Sequence, residues 1–277
     1  KLLEDKRPHL FWTPCAAHCV DLILEDIGKL PYIKDTLKKA MSVNAYVYVR
    51  PGVVNMLRHF TGEKELVRAG VTRFATAFLT LERMQVLKEK LRDMFRSRQW
   101  EESQWKKEAG GVKVTKIIFS IRFWNNVLRI LKIFGPLVRV LRLVDGEKRP
   151  AMGYIYEAMD KAKEAIRDAF DVKEDKYKDA WEIIDKRWNC QLHKPLHAAA
   201  HYLNPQFLSS YTSLDLSDEI GDEFILCVER LVPDLKEQEK KMTWSCLRRK
   251  MMSKDNENEK FNFEEEEDED EDEEDEE

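Results

Sequence analysis

The sequence predicts a mainly α-helical protein. Ten Gly and nine Pro in 277 residues are too few for a turn-rich all-β chain. A charged fraction of 36% suits long solvated helices better than a compact barrel. Apolar residues also recur at intervals of three and four along most of the chain, the spacing that puts them on one helix face. With 43% hydrophobic residues, seven Trp and thirteen Phe, there is enough apolar material for a core.

The elements follow in order. A short β-prone run at Leu10-Phe11-Trp12 predicts one strand. Thr13 then caps a helix that Pro14 opens. Val20, Ile23 and Ile27 form its apolar face and Gly28 stops it. Pro31 opens the next helix, through Ile33, Leu37 and Ala40, and Pro51-Gly52 breaks the chain before Val53, Met56, Leu57 and Phe60. A long helix is expected from Thr72 to about Arg98, then a flexible link at Gly110-Gly111. Residues 113–144 read as a second long helical stretch with a kink or break at Gly135-Pro136. Further helices are expected at about 152–170, from Pro195 to Asn204-Pro205, and at about 218–231.

The net charge of −5 hides an asymmetry. Residues 264–277 are fourteen consecutive Asp or Glu, and without them 38 acidic residues face 47 basic ones. An acidic run of this kind buries nothing and repels itself, so a disordered tail is expected. The basic remainder suits a polyanionic partner, and the tail suits a histone-like polycation. Five Cys in no spaced framework argue for reduced thiols and against a secreted disulfide scaffold. The most apolar stretch is interrupted by Arg122, Arg129, Lys132, Arg139 and Arg142, so no membrane span is expected.

Three segments carry a family resemblance. Trp12-Thr13-Pro14-Cys15-Ala16-Ala17-His18-Cys19-Val20-Asp21-Leu22 resembles a signature of hAT-superfamily transposases, with Cys15 and His18 as its Cys-x-x-His pair. Thr72-Arg73-Phe74 is similar to the family's Thr-Arg-Trp or Thr-Arg-Phe at the start of a long helix. Trp188 with Pro195-Leu196-His197-Ala198-Ala199 and Leu203-Asn204-Pro205 resembles its Pro-Leu-His-x-Ala…Leu-Asn-Pro segment. The order is the family's, and the likeness is closest to plant hAT-like proteins whose core is a domain of unknown function.

The resemblance implies a ribonuclease H-like core interrupted by a helical insertion. On that reading residues 1–30 are the core's last strand and following helix, 31–232 the helical insertion, and 233–277 a charged, largely disordered tail. The family holds two Mg2+ or Mn2+ ions on two Asp and one Glu for DNA strand transfer. The Asp positions belong upstream of the Cys-x-x-His motif, and no Ser-Glu-Arg match for the Glu follows Pro205. No catalysis and no cofactor are therefore expected of this chain, and the family's dimerisation surface is left open.

Nuclear DNA binding by a transposase-derived protein is the leading expectation. A chromatin or protein-interaction scaffold with a histone-binding tail is the alternative, and homo-oligomers stay possible for both. The DNA-contact candidates are Cys15, His18, Arg73, Arg122, Arg129 and Lys132. By resemblance, Cys15 and His18 lie at a cleft; their other reading is helix packing. Arg122, Arg129 and Lys132 lie at i, i+7 and i+10, along one helix side, in a stretch 111–144 without an acid. Arg73 reaches DNA or pairs with a carboxylate. His193, His197 and His201 are spaced by four, but a helix starting at Pro195 removes His193 from the row, which leaves surface or half-buried histidines. Glu157 and Asp160 read as helix-surface partners of Lys161 and Lys163.

Overall fold

A computed structural model describes residues 2–67, 74–146, 150–207 and 218–252. Among the described residues the fold is helical. The longer helices are α1 (Ala16–Gly28), α2 (Pro31–Tyr48), α3 (Pro51–Thr61), α4 (Phe74–Val86), α5 (Lys88–Arg96), α6 (Ala109–Ile118), α7 (Ile121–Asp145), α8 (Ile155–Ala169), α9 (Lys178–Arg187), α10 (Pro195–Leu203), α11 (Asp218–Leu231) and α12 (Leu235–Met252). None of them is long and apolar enough to cross a membrane. The acidic run 264–277 lies outside the described residues.

Two compact units form, and they interleave in sequence. A central unit comprises the described residues of Asp21–Val138 and Ala169–Ile183. A terminal unit comprises those of Lys1–Val20, Arg139–Asp168 and Ile184–Glu277.

In the central unit, proline and glycine set the helix ends. Pro31 and Pro51 each stand in the first turn, where the missing N–H costs nothing. Gly62 ends α3 at φ 67°, a left-handed conformation that favours glycine. The core gathers around Trp100, fully buried and edge-on to Phe95 at 4.6 Å and to Tyr46 at 6.5 Å. Tyr46 Oη donates to the Trp105 carbonyl at 2.9 Å and to Glu108 at 3.2 Å. Burial pushes its pKa up to about 12, so it stays a donor. Arg50 completes the cluster, pairing with Glu108 at 2.6 Å and lying 3.8 Å over the Tyr46 ring.

This packing overturns the expected flexible link at Gly110-Gly111. Both glycines lie inside α6, and they are small because neighbours press on them. A Cβ on Gly111 would stand 1.9 Å from the Trp105 carbonyl oxygen, and one on Gly110 would stand 2.7 Å from the Tyr46 ring.

Three helix boundaries also differ from expectation. The stretch 113–144 divides at Phe119-Ser120, because Ser120 Oγ accepts the Phe123 N–H and starts a new helix. No break occurs at Gly135-Pro136. There α7 continues through a proline that has lost one hydrogen bond, since Ile130, Ile133, Phe134, Leu137 and Val138 are buried on both sides. Within the expected 72–98 helix, a turn at Leu87 separates α4 from α5.

The terminal unit overturns the predicted strand. Residues 10–15 run without regular pairing, and no strand occurs among the described residues. Arg230 instead donates to the carbonyls of Pro8 and Leu10 and lies 4.2 Å over the Phe11 ring. A guanidinium thus meets carbonyls that a neighbouring strand would otherwise satisfy. Helix α1 begins at Ala16, with the Cys19 N–H donating to the Cys15 carbonyl at 3.1 Å, two residues later than Pro14 implies.

The Leu-Asn-Pro segment ends α10 through Asn204. Its side chain accepts the Gln206 N–H at 3.1 Å and donates to the Gly153 carbonyl at 3.0 Å. Tyr202 stacks on Phe224 at 4.4 Å, joining α10 to α11. The expected charged tail opens with a helix, α12, whose first turn Asp234 caps by accepting the Glu237 N–H at 2.9 Å.

Gly111→Ala should therefore destabilise the protein by roughly 1–3 kcal/mol, because backbone rather than a movable side chain blocks the new methyl. Thermal unfolding measures this. A melting temperature equal to that of the unchanged protein would contradict the close approach.

Candidate nucleic-acid interface

The sequence places Arg122, Arg129 and Lys132 along one side of a helix, and α7 does so. Their environments differ. Arg122 is exposed within the first turn after the Ser120 cap. Arg129 Nε donates to the Lys176 carbonyl at 2.8 Å, its Nη2 donates to the same oxygen, and the guanidinium lies 4.3 Å from the Tyr32 ring centre. Lys132 Nζ donates to the Ala169 carbonyl at 2.5 Å and lies 5.4 Å from the Phe170 ring.

These two cations fasten the segment after α8. Ala169 ends that helix, where carbonyls lack partners and the dipole favours positive charge. The chain then turns through Asp171 at φ 51° and Val172 at φ 61°, left-handed conformations unusual for side chains of this kind. Arg129 and Lys132 hold the two sides of that turn. Two members of the predicted stripe are thus engaged inside the protein.

A second set of cations escaped the sequence reading. Lys88 and Arg92 of α5 lie 5.5 and 5.9 Å from the Trp124 ring, and Arg96 lies 5.1 Å from that of Phe119. The three occupy positions i, i+4 and i+8, hence one face of α5. Arg92 also pairs with Glu89 at 3.1 Å. Trp124 is held rigidly: it is 1% exposed and its Nε1 donates to the Ile118 carbonyl at 2.7 Å. The elbow between α6 and α7 under these cations carries the exposed Lys116 and Arg122. The α6–α7 elbow thus supplies the two rings on which the three α5 cations stand, and exposed Lys116 and Arg122 flank that elbow in sequence. The spacing of 88, 92 and 96 was a usable signal, but only the α6–α7 elbow makes it a cluster.

Cys15 and His18, in the terminal unit, are both exposed at the start of α1. Cys19 beneath them is buried, and burial raises its thiol pKa, with Cys15 adding to the rise. Cys15, Cys19, Cys190 and Cys227 are free thiols. Thr72 and Arg73 lie outside the described residues, as does the Phe74 side chain.

The histidines are more buried than expected. His197 and His201 are each 2% exposed. His193 stands outside α10, beyond a π-helical turn at Trp188–Leu192. Tyr156 gathers this region, stacking on His201 at 5.9 Å and meeting Trp188 edge-on at 4.8 Å. His197 Nδ1 lies 2.7 Å from the Leu192 carbonyl. Among the described residues no group of three His, Cys, Asp or Glu is placed to hold a metal. Of the carboxylates on α8, Glu157 lies 3.8 Å from Lys161, and Lys163 pairs with Asp185 at 2.6 Å while both lysines act electrostatically on Asp160.

The α1–α2 region has a family match. Residues 1–43 match a domain of unknown function, DUF659. That family is found in hAT-like transposase proteins. The DUF659 segment contains Cys15 and His18 and ends within α2. No curated protein and no solved structure matches the chain.

Burial lowers the pKa of His197 from its ordinary value, although the Leu192 carbonyl opposes the shift. The unfolded chain then binds a proton more readily than the folded one. Stability should be fully present above the ordinary histidine pKa of about 6.5 and fall as pH drops through and below it. Melting curves from pH 8 to 5 on the protein and on His197→Gln measure the effect. The variant should lose part of the acid sensitivity, and identical pH profiles would exclude His197 as its source.

Proposed function

We propose that this chain is a DNA-binding protein derived from a plant hAT-like transposase, acting in the nucleus without strand-transfer chemistry of its own. The observation that carries the reading is the row of Lys88, Arg92 and Arg96 over Trp124 and Phe119, beside an α6–α7 elbow on which Lys116 and Arg122 are exposed. Cations standing over fixed rings are pre-positioned, so less side-chain freedom is lost when they meet phosphates. The basic excess outside residues 264–277 adds a long-range field of the same sign. The DUF659 match, and the motifs around Cys15, Arg73 and His197, support the transposase origin.

The contacts expected are with backbone phosphates, which give affinity without sequence preference. Arg122 and Arg96 are the leading contact residues. Arg129 and Lys132 contribute by holding the α7 face in place. A second reading, a chromatin scaffold that binds histones, is favoured by one observation, the fourteen acidic residues 264–277. Self-association is compatible with both readings.

Charge reversal separates them. Arg96→Glu with Arg122→Glu should weaken binding to duplex DNA in 50 mM salt and make the salt dependence shallower by roughly 0.9 for each phosphate that is no longer neutralised. Fluorescence anisotropy at several salt concentrations reads both effects. Arg129→Ala should instead lower thermal stability by about 1 kcal/mol, given its partly solvated hydrogen bonds. Unchanged DNA affinity in the double variant, or no binding by the parent protein at low salt, would overturn the reading.

A further inference from the structure

The terminal unit holds an apolar groove that the DNA reading does not use. It lies between α10 and α11, is lined by Leu196, Phe224, Val228 and Leu231, and has a volume of about 640 Å3. Clefts that hold drug-sized molecules span ~300–1,000 Å3, so two aromatic side chains fit. Two cations of α12, Lys240 and Lys241, complete its lining. Leu203 and Leu231 at the groove are 52% and 48% exposed, a continuous apolar surface that folding of the described residues leaves uncovered.

A segment of this chain has the matching chemistry. After Met252 the sequence contains only two apolar side chains, Phe261 and Phe263, and the run of fourteen Asp and Glu follows them directly. Residues 253–260 are all polar or charged. Helix α12 carries six Lys or Arg against two Glu, the sign that an acidic segment needs. Lys240 already pairs with Glu237 at 2.9 Å, an exposed contact that a second carboxylate can share.

We propose that residues 261–267 dock on this groove, with Phe261 and Phe263 between α10 and α11 and Glu264–Glu267 beside Lys240 and Lys241. The reach is sufficient. The eleven steps along α12 from Lys241 to Met252 rise ~17 Å, and the nine steps from Met252 to Phe261 span up to ~30 Å when extended. Tethering over so short a link gives an effective concentration on the order of millimolar, so a weak apolar contact suffices. The pattern of two aromatics followed by acids matches an apolar slot beside lysines, and nothing else in residues 253–277 does. Docking would also set where the remaining acidic residues begin.

Zero-length carbodiimide coupling tests this on the full chain at low micromolar concentration, read by peptide mass spectrometry of the monomer. Amide links from Lys240 or Lys241 to Glu264–Glu267 are expected. They should fall roughly tenfold in Phe261→Ser/Phe263→Ser, which leaves every charge in place. Leu203→Asp, at a half-exposed groove position, should have the same effect. The proposal is overturned if the links are absent, if either variant leaves their yield unchanged, or if they occur only in coupled dimers, which would make the occupant a second copy's tail. The readout contains no nucleic acid, so failure of the DNA reading leaves it intact.

Discussion

Burial of one apolar stripe along α7 is the constraint from which much of the central unit's surface follows. Phe123, Trp124, Val127, Ile130, Ile133, Phe134 and Leu137 are each no more than 2% exposed. Side chains of this size stabilise by about 1.5–3 kcal/mol apiece when fully buried. Against that total, the hydrogen bond lost at Pro136 is a small cost, and the helix continues through a residue that would break a solvated one. The rotation fixed by the stripe also decides where the polar residues point. Arg122 and Lys132 emerge because Trp124 and Phe134 are held inside.

The basic residues on that framework divide into three uses. Arg129 and Lys132 meet carbonyls left over at helix ends, where a cation is favoured by both hydrogen bonding and the helix dipole. Arg50 pairs with Glu108 over a tyrosine ring inside a packed cluster. Lys88, Arg92 and Arg96 lie over the Trp124 and Phe119 rings, and Lys116 and Arg122 are exposed on the elbow that carries those rings. The third use accumulates more positive than negative charge, since Glu89 pairs with Arg92 alone among the three, and like charges held together raise the cost of remaining unneutralised. An external polyanion relieves it. A count of Lys and Arg cannot separate these uses, because all three look alike until their neighbours are known.

That limit explains what was legible in the sequence. Helical periodicity found α8, α10 and α11 close to their observed bounds, and Pro31, Pro51 and Pro195 marked true helix starts because first-turn proline is a local rule. The errors came where a distant contact overrides a local rule. Gly110-Gly111 read as a link, yet Trp105 and Tyr46 require small residues there. Leu10-Phe11-Trp12 read as a strand by propensity, but Arg230, more than two hundred residues away, takes its carbonyls. Ser120 was a legible cap that the apolar run on either side concealed. His197 and His201 read as surface or half-buried groups because full burial of a polar side chain depends on partners such as Leu192 and Tyr156. Of the site, Arg122 was readable from spacing; the rings beneath Lys88 and Arg96 were not.

The charge distribution makes the terminal unit as consequential as the basic face. A chain that places its basic excess before residue 253 and fourteen acids at its end has two internally attractive halves. Charge alone would not fix their relation, since attraction between exposed groups is screened beyond about 8 Å at physiological salt. A run of identical acids has no preferred register on a basic surface either. Register needs something short-ranged, and apolar contact supplies it because it acts only when water is displaced from both surfaces. Phe261 and Phe263 stand at the one point in the last twenty-five residues where such a contact is available, directly before the charge begins. An anchor there converts a diffuse electrostatic attraction into a located one, and it leaves the distal acids to meet whichever cation is nearest, on this protein or on another.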